Sequence, residues 1–224
     1  MKKLIIFDLD GTLLNSINDI NTSINLALND LQLPQVTIDD SKYITGSGVD
    51  ILSMRTIKLV LQDKYEEEKD LYLNKFKDLY QHYYTIHQND ETKPYDGIID
   101  ALKELRKLGV KIAVLSNKPH VDVEKIMRYY FKDIEFDYIL GKIEKNRIKP
   151  DIDGIIMIED ELNIHNNKEI LYVGDTNVDI QTARNAHIEV LACTWGFRKY
   201  DEIKTADYFA YQPLDIVGVV KNAK

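Results

Sequence analysis

Residues Lys3 to Leu14 read KLIIFDLDGTLL, and the fold follows from how this stretch is built. The apolar run Leu4 to Phe7 delivers two carboxylates, Asp8 and Asp10, and Gly11-Thr12 follows at once. A short continuous apolar run closed by a glycine turn predicts a buried central strand. Side chains two apart on a strand share a face, so Asp8 and Asp10 are expected close together where the strand opens into its loop. Two such anions repel by about 4 kcal/mol at ~4 Å and an effective dielectric of ~20. A divalent metal or a shared proton is the expected offset.

Past Leu14 the pattern turns helical. Ile17, Ile20, Ile24, Leu28 and Leu31 recur at spacings of three and four. Thr37 to Lys42 starts a further short helix, Gly46-Ser47-Gly48 interrupts, and Ile51 to Leu61 resumes the pattern. Tyr72, Phe76, Leu79, Tyr83 and Ile86 mark a third apolar stripe, read as core. From Thr92 onward, β-rich runs alternate with helices. Strands are expected at 110–115, 138–140, 170–173 and 189–193, with helices at 98–108, 121–130, 152–162 and 178–186. That alternation predicts an α/β fold, a Rossmann-like parallel sheet with helices on both faces. The expected division is a core of residues 1–14 and 92–224, with 15–91 as a helical insertion.

Composition narrows the classes. The 224 residues are 44% hydrophobic and 29% charged, an ordinary globular balance. The net charge of −8 argues against non-specific binding to nucleic acid or anionic membrane. A single cysteine, Cys193, fits a reducing compartment and reads as a small buried apolar residue. Met1-Lys2-Lys3 is basic, but the apolar run behind it is short and ends in acid, unlike a signal peptide. The expectation is a soluble cytoplasmic protein with no membrane partner, monomeric or homodimeric. The histidines show no metal-ligating pattern, since His82 and His87 stand five apart on a helix.

In open parallel sheets, ligands bind beyond the carboxyl ends of the strands. Here those ends are DLDGT at 8–12, SNKP at 116–119 and GDTNVD at 174–179, with Lys149-Pro150 in a loop after the brief strand. The pieces suit phosphoryl transfer. A carboxylate can attack phosphorus and split hydrolysis into two steps. Mg2+ takes oxygen ligands and needs few protein carboxylates, which Asp8, Asp175 and Asp179 offer. The Ser116 hydroxyl and Lys149 ammonium suit the non-bridging oxygens. Asp10 suits proton transfer to the leaving oxygen and from water. Lys118 reads equally as a phosphate contact or a surface lysine before Pro119.

In order and spacing, DLDGTL at 8–13, SNK at 116–118, Lys149-Pro150 and GDTNVD at 174–179 resemble the four motifs of the haloacid dehalogenase superfamily. Within it the chain is similar to the phosphoglycolate phosphatase-like hydrolases. The resemblance implies Asp8 as nucleophile and Asp10 as acid/base, whose backbone carbonyl also binds metal. It implies Ser116, Asn117 and Lys149 as phosphate-binding positions, and Asp175 as metal ligand with Asp179 in support. Dehalogenases proper lack the second aspartate, so its presence at Asp10 favours phosphatase or phosphomutase chemistry. The insertion is similar to the family's small cap, with Ser47 and Gly48 in the substrate-facing loop and Arg55 a candidate for a substrate carboxylate. The implied activity is Mg2+-dependent hydrolysis of a small phosphomonoester, phosphoglycolate first. A β-phosphoglucomutase-like mutase and a pyrophosphatase or nucleotidase remain open, as does a receiver-type signalling module, disfavoured because Asp8 ends the first strand. Two positions depart from the family pattern: His187 stands where relatives usually carry glycine, and Ile152 where a second proline is common.

Overall fold

A computed structural model describes residues 1–222 of the chain. It divides into two compact units, Met1–Asn15 with Pro94–Lys224, and Ser16–Lys93.

The first unit is built on a six-stranded sheet. In chain order its strands are β1 (Leu4–Phe7), β4 (Lys111–Pro119), β5 (Tyr138–Lys142), β6 (Ile170–Gly174), β7 (Glu189–Cys193) and β8 (Tyr208–Ala210). The labels β2 (Leu14–Asn15) and β3 (Lys93–Pro94) belong to two-residue strands where the chain passes between the units. The sheet order is β5-β4-β1-β6-β7-β8, and every pairing is parallel. From β1 the chain steps outward on one side to β5, then returns to the other side at β6. That reversal makes a crevice at the carboxyl ends of β1, β4 and β6.

All of β1 is buried, as a strand covered on both faces must be. Ile5 and Phe7 pack with α5 (Ile98–Lys107), α6 (His120–Tyr130) and α10 (Leu214–Asn222). Leu4 and Ile6 pack with α7 (Asp153–Leu162), α8 (Asn177–Asn185) and the single turn of α9 (Tyr200–Ile203). Period-two alternation thus divides one strand between two hydrophobic layers. On α7 the buried residues are Gly154, Ile155, Ile158 and Leu162, while Ile156 is 42% exposed. The spacing of three and four from Ile155 selects Ile158 instead.

The second unit is all-helical: α1 (Ile17–Asp30), α2 (Ile38–Ile44), α3 (Gly48–Leu61) and α4 (Tyr65–His87). Thr37 caps α2 in a reciprocal capping box with Asp40. On α4 the buried ladder is Phe76, Tyr80 and Tyr84, with stacked centroids 6.2 and 5.7 Å apart. The expected stripe through Tyr83 and Ile86 is therefore rotated: Ile86 is exposed, and the Tyr83 hydroxyl donates to Asp30 at 2.6 Å. A strict spacing of four keeps three aromatic rings in contact along one face. The buried Asp19 carboxylate accepts the backbone N–H groups of Glu91 and Thr92 and the Thr92 hydroxyl, holding the end of this unit to its first helix. Among the described residues no helix is long and apolar enough to cross a membrane.

Candidate active site

The loop after β1 is wound tightly on one carbonyl. The Leu9 oxygen accepts N–H groups from Thr12, Leu13 and Leu14. Leu9 points into the core, so the carboxylates on either side are left at the strand's open end. Gly11 has φ +85°, and a Cβ there would collide with the Asp175 carboxylate. Only glycine permits that approach. Asp175 follows β6, is wholly buried, and accepts the Thr12 hydroxyl at 3.1 Å and the Phe197 N–H at 2.7 Å. Thr12 in turn accepts the Trp195 indole N–H on its carbonyl at 3.2 Å.

Lys149 is the buried cation of the site. Its Nζ lies 2.8 Å from Asp8 Oδ1 and 2.8 Å from Asp179 Oδ1. It also sits 5.7 Å from the centre of the Tyr172 ring, whose hydroxyl is 3.3 Å from Asp179. Its backbone is held by Asn117: the Asn117 side chain accepts the Lys149 N–H at 2.7 Å and donates to its carbonyl at 3.1 Å. Asn117 therefore aims the lysine from the end of β4. The other Asp179 oxygen accepts the Thr176 N–H and hydroxyl in a capping box at the start of α8. One carboxylate thereby fixes both a helix end and the ammonium.

Asp8 and Asp179 share this lysine, and Asp175 lies beside them. One oxygen each from Asp8, Asp175 and Asp179 lies within 4.8 Å of the others. Burial, with Asp179 nearby, pushes the Asp8 carboxyl up to about 7 although Lys149 opposes the shift. Burial and the neighbouring Asp179 and Asp8 also hold Asp175 well above the usual carboxylate range. Burial alone would lower the Lys149 pKa, but Asp179 and Asp8 more than offset it and keep the ammonium charged. The excess of buried carboxylate over ammonium, in an all-oxygen donor set, suits a hard divalent cation.

Asp10 has a separate partner. Lys118 Nζ lies 3.2 Å from one Asp10 oxygen and 3.1 Å from the other, and its side chain is 11% exposed. The surface-lysine reading of Lys118 is thus corrected: β4 runs on through Pro119 and carries it inward. The repulsion expected between Asp8 and Asp10 is offset by two lysines, one for each carboxylate. Ser116 is buried, and its Oγ accepts the Lys118 N–H at 3.2 Å.

Asp8, Asp10, Ser116, Asn117, Lys149, Asp175 and Asp179 all belong to the sheet unit and its strand ends. Ser47, Gly48 and Arg55 belong to the helical unit. There Ser47 and Gly48 begin α3, and Arg55 Nη1 donates to the Ile44 carbonyl at 3.1 Å and to that of Tyr43 at 3.4 Å. Sequence reasoning missed Thr12, Tyr172 and the Phe197 N–H as supports of the carboxylates. Thr12 carried a signal, since a hydroxyl beside Gly11 in a strand-end loop is placed to meet an acid from the next strand.

A family profile described as haloacid dehalogenase-like hydrolase matches residues 5–193. The chain belongs to the haloacid dehalogenase-like hydrolases. More particularly it is a phosphoglycolate phosphatase-like hydrolase, a phosphatase by class. It is 32% identical over 221 residues to a phosphoglycolate phosphatase of Aquifex aeolicus, covering 98% of this chain and 97% of that one. It is 30% identical over 195 residues to a phosphoglycolate phosphatase of Mannheimia succiniciproducens, covering 87% of each. A crystal structure of a predicted phosphoglycolate phosphatase from Haemophilus somnus superposes with a TM-score of 0.88 at 31% identity, covering 97% of each chain.

Proposed function

We propose that this phosphatase hydrolyses a small phosphomonoester, phosphoglycolate as first candidate, through an aspartyl-phosphate on Asp8, with Mg2+ as cofactor. The observation that carries the reading is the Asp8–Lys149–Asp179 arrangement, a buried carboxylate held 2.8 Å from an ammonium beside two further carboxylates. Asp8, Asp175 and Asp179, with the Asp10 carbonyl, are the groups that would hold Mg2+, which would screen the anionic nucleophile from the anionic phosphate.

Asp8 Oδ attacks phosphorus while the bond to the ester oxygen breaks, and Asp10 gives that oxygen its proton. Lys149 and Ser116 hold non-bridging oxygens as charge moves onto them. Asp10 then takes a proton from water, whose oxygen attacks the phosphoryl group, releasing phosphate and restoring Asp8. By resemblance to the family, the helical unit is assigned the role of a cap domain. The names of the curated relatives support phosphoglycolate as the first ester to try.

A screen for phosphate release over small phosphoesters with Mg2+ tests this, with Asp8→Asn as control. Release from at least one ester, abolished in Asp8→Asn, is expected. No release from any ester, or undiminished release in Asp8→Asn, refutes it, and transfer of phosphate between sugars without release would indicate a mutase.

A further inference from the structure

The site contains two lysines with different neighbours. Lys149 is tied to Asp8 and Asp179, where phosphorus reacts. Lys118 is tied to Asp10, the group placed to protonate the leaving oxygen. We propose that Lys118 is the specificity-determining residue of this site, its ammonium binding an anionic group, a carboxylate above all, carried by the leaving group one or two bonds from the ester oxygen. The assignment rests on the phosphatase reading above.

Three observations carry it. First, an ester oxygen within hydrogen-bond reach of Asp10 brings its substituents beside an ammonium that is 3.1 Å from that same carboxylate. Second, the Lys118 backbone is pinned. Ser116 Oγ accepts its N–H, and β5 crosses its carbonyl so closely that a Cβ on Gly141 would lie 2.6 Å from that oxygen. The charge is therefore presented from a rigid strand end rather than a mobile loop. Third, the side chain is 11% exposed, so its attraction for a carboxylate is little screened by solvent. An ammonium is a point charge with rotatable donors, able to serve Asp10 and an arriving carboxylate together. Arg55, the other candidate for that role, has Nη1 committed to two carbonyls at the end of α2.

The test compares phosphoglycolate with 2-hydroxyethyl phosphate, in which a neutral hydroxyl replaces the carboxylate and the leaving group is still an alkoxide needing Asp10. Wild type should prefer phosphoglycolate. In Lys118→Met, kcat/KM for both esters should fall through the lost Asp10 partner, and phosphoglycolate should lose about 10- to 100-fold more than 2-hydroxyethyl phosphate, that excess appearing mainly in KM. Lys118→Arg should restore most of the preference, and Lys118→Gln supplies the same comparison if the Met variant melts early. Equal losses on both esters would make Lys118 a positioning residue for Asp10 alone and overturn the proposal. A wild type without preference for the carboxylate ester would also overturn it. A wild type inactive on every ester would instead refute the phosphatase reading.

Discussion

Replacing Lys149 by methionine removes the cation on which the site's electrostatics turn. The side chain is 3% exposed and lies 2.8 Å from both Asp8 and Asp179, whose side chains are 10% and 1% exposed. Methionine fills much of the volume, so the loss is electrostatic rather than a cavity. Removing one partner of a buried ion pair costs about 3–5 kcal/mol, because the other charge is left without compensation. For a chain of this size that corresponds to a fall in Tm of roughly 6–20 °C. The loss should depend on pH in a definite direction. Asp8 stands at about 7 even with Lys149 present, and without the ammonium it moves higher. At about pH 8 the variant must hold Asp8 ionised without its ammonium or protonate it against the pH, whereas near pH 5.5 Asp8 is neutral and the deficit shrinks. Thermal melts of both proteins without added metal, at the two pH values, read this directly. Activity should drop on the order of 100- to 1000-fold, as when one preorganised donor to a developing oxyanion is removed. A variant melting within about 2 °C of wild type at pH 8 would refute the assigned electrostatics, since the predicted shift is several times larger.

The same groups make metal binding pH-dependent. A carboxyl whose folded pKa is raised favours folding at low pH, and that contribution is lost as pH climbs from about 4 through about 7 for Asp8; Asp175 is shifted in the same direction. Added Mg2+ should therefore raise Tm more at pH 8 than at pH 5.5, and an equal rise at both would count against these carboxylates as ligands. His187, with φ +56°, follows α8 at the left-handed position; its N–H bonds to the Arg184 carbonyl, and that of Ile188 to Ala183. His187→Gly should stabilise the fold by about 0.5–1 kcal/mol in thermal melts with activity unchanged, and a destabilised variant would contradict the backbone argument.

Much of this arrangement is legible in the residues. Leu4 to Phe7 bounded by Gly11 reads as the central strand because a strand buried on both faces leaves a continuous apolar run. The polar strand ends read as a site because a parallel sheet gathers them at one edge. What is not legible depends on pairings between distant segments. Lys118 reads equally as a phosphate contact or a surface lysine because nothing local reveals that β4 extends through Pro119, whose register with Lys142 follows a shift after Leu115. Tyr172 reads as a core residue and is one, yet its hydroxyl reaches Asp179 from the next element. On α4 two neighbouring faces are both apolar. Leu79 and Tyr83 compete with Tyr80 and Tyr84 for the buried side, and only packing against α1 and α3 decides between them. The short β8 and α10 carry no clear period and escape a reading by pattern, although Ile216, Val217 and Val220 close one core layer.

The central claim is that Asp8 itself carries the phosphoryl group during turnover. Single turnover with an ester labelled in its phosphate, quenched in acid and followed by peptide mapping, tests it most directly. With an ester whose leaving group departs without a proton, such as 4-nitrophenyl phosphate, label on the peptide containing Asp8, accumulating in Asp10→Asn and absent from Asp8→Asn, is the expected result. Phosphate release without labelled enzyme at any time, or label confined to another peptide, would contradict it.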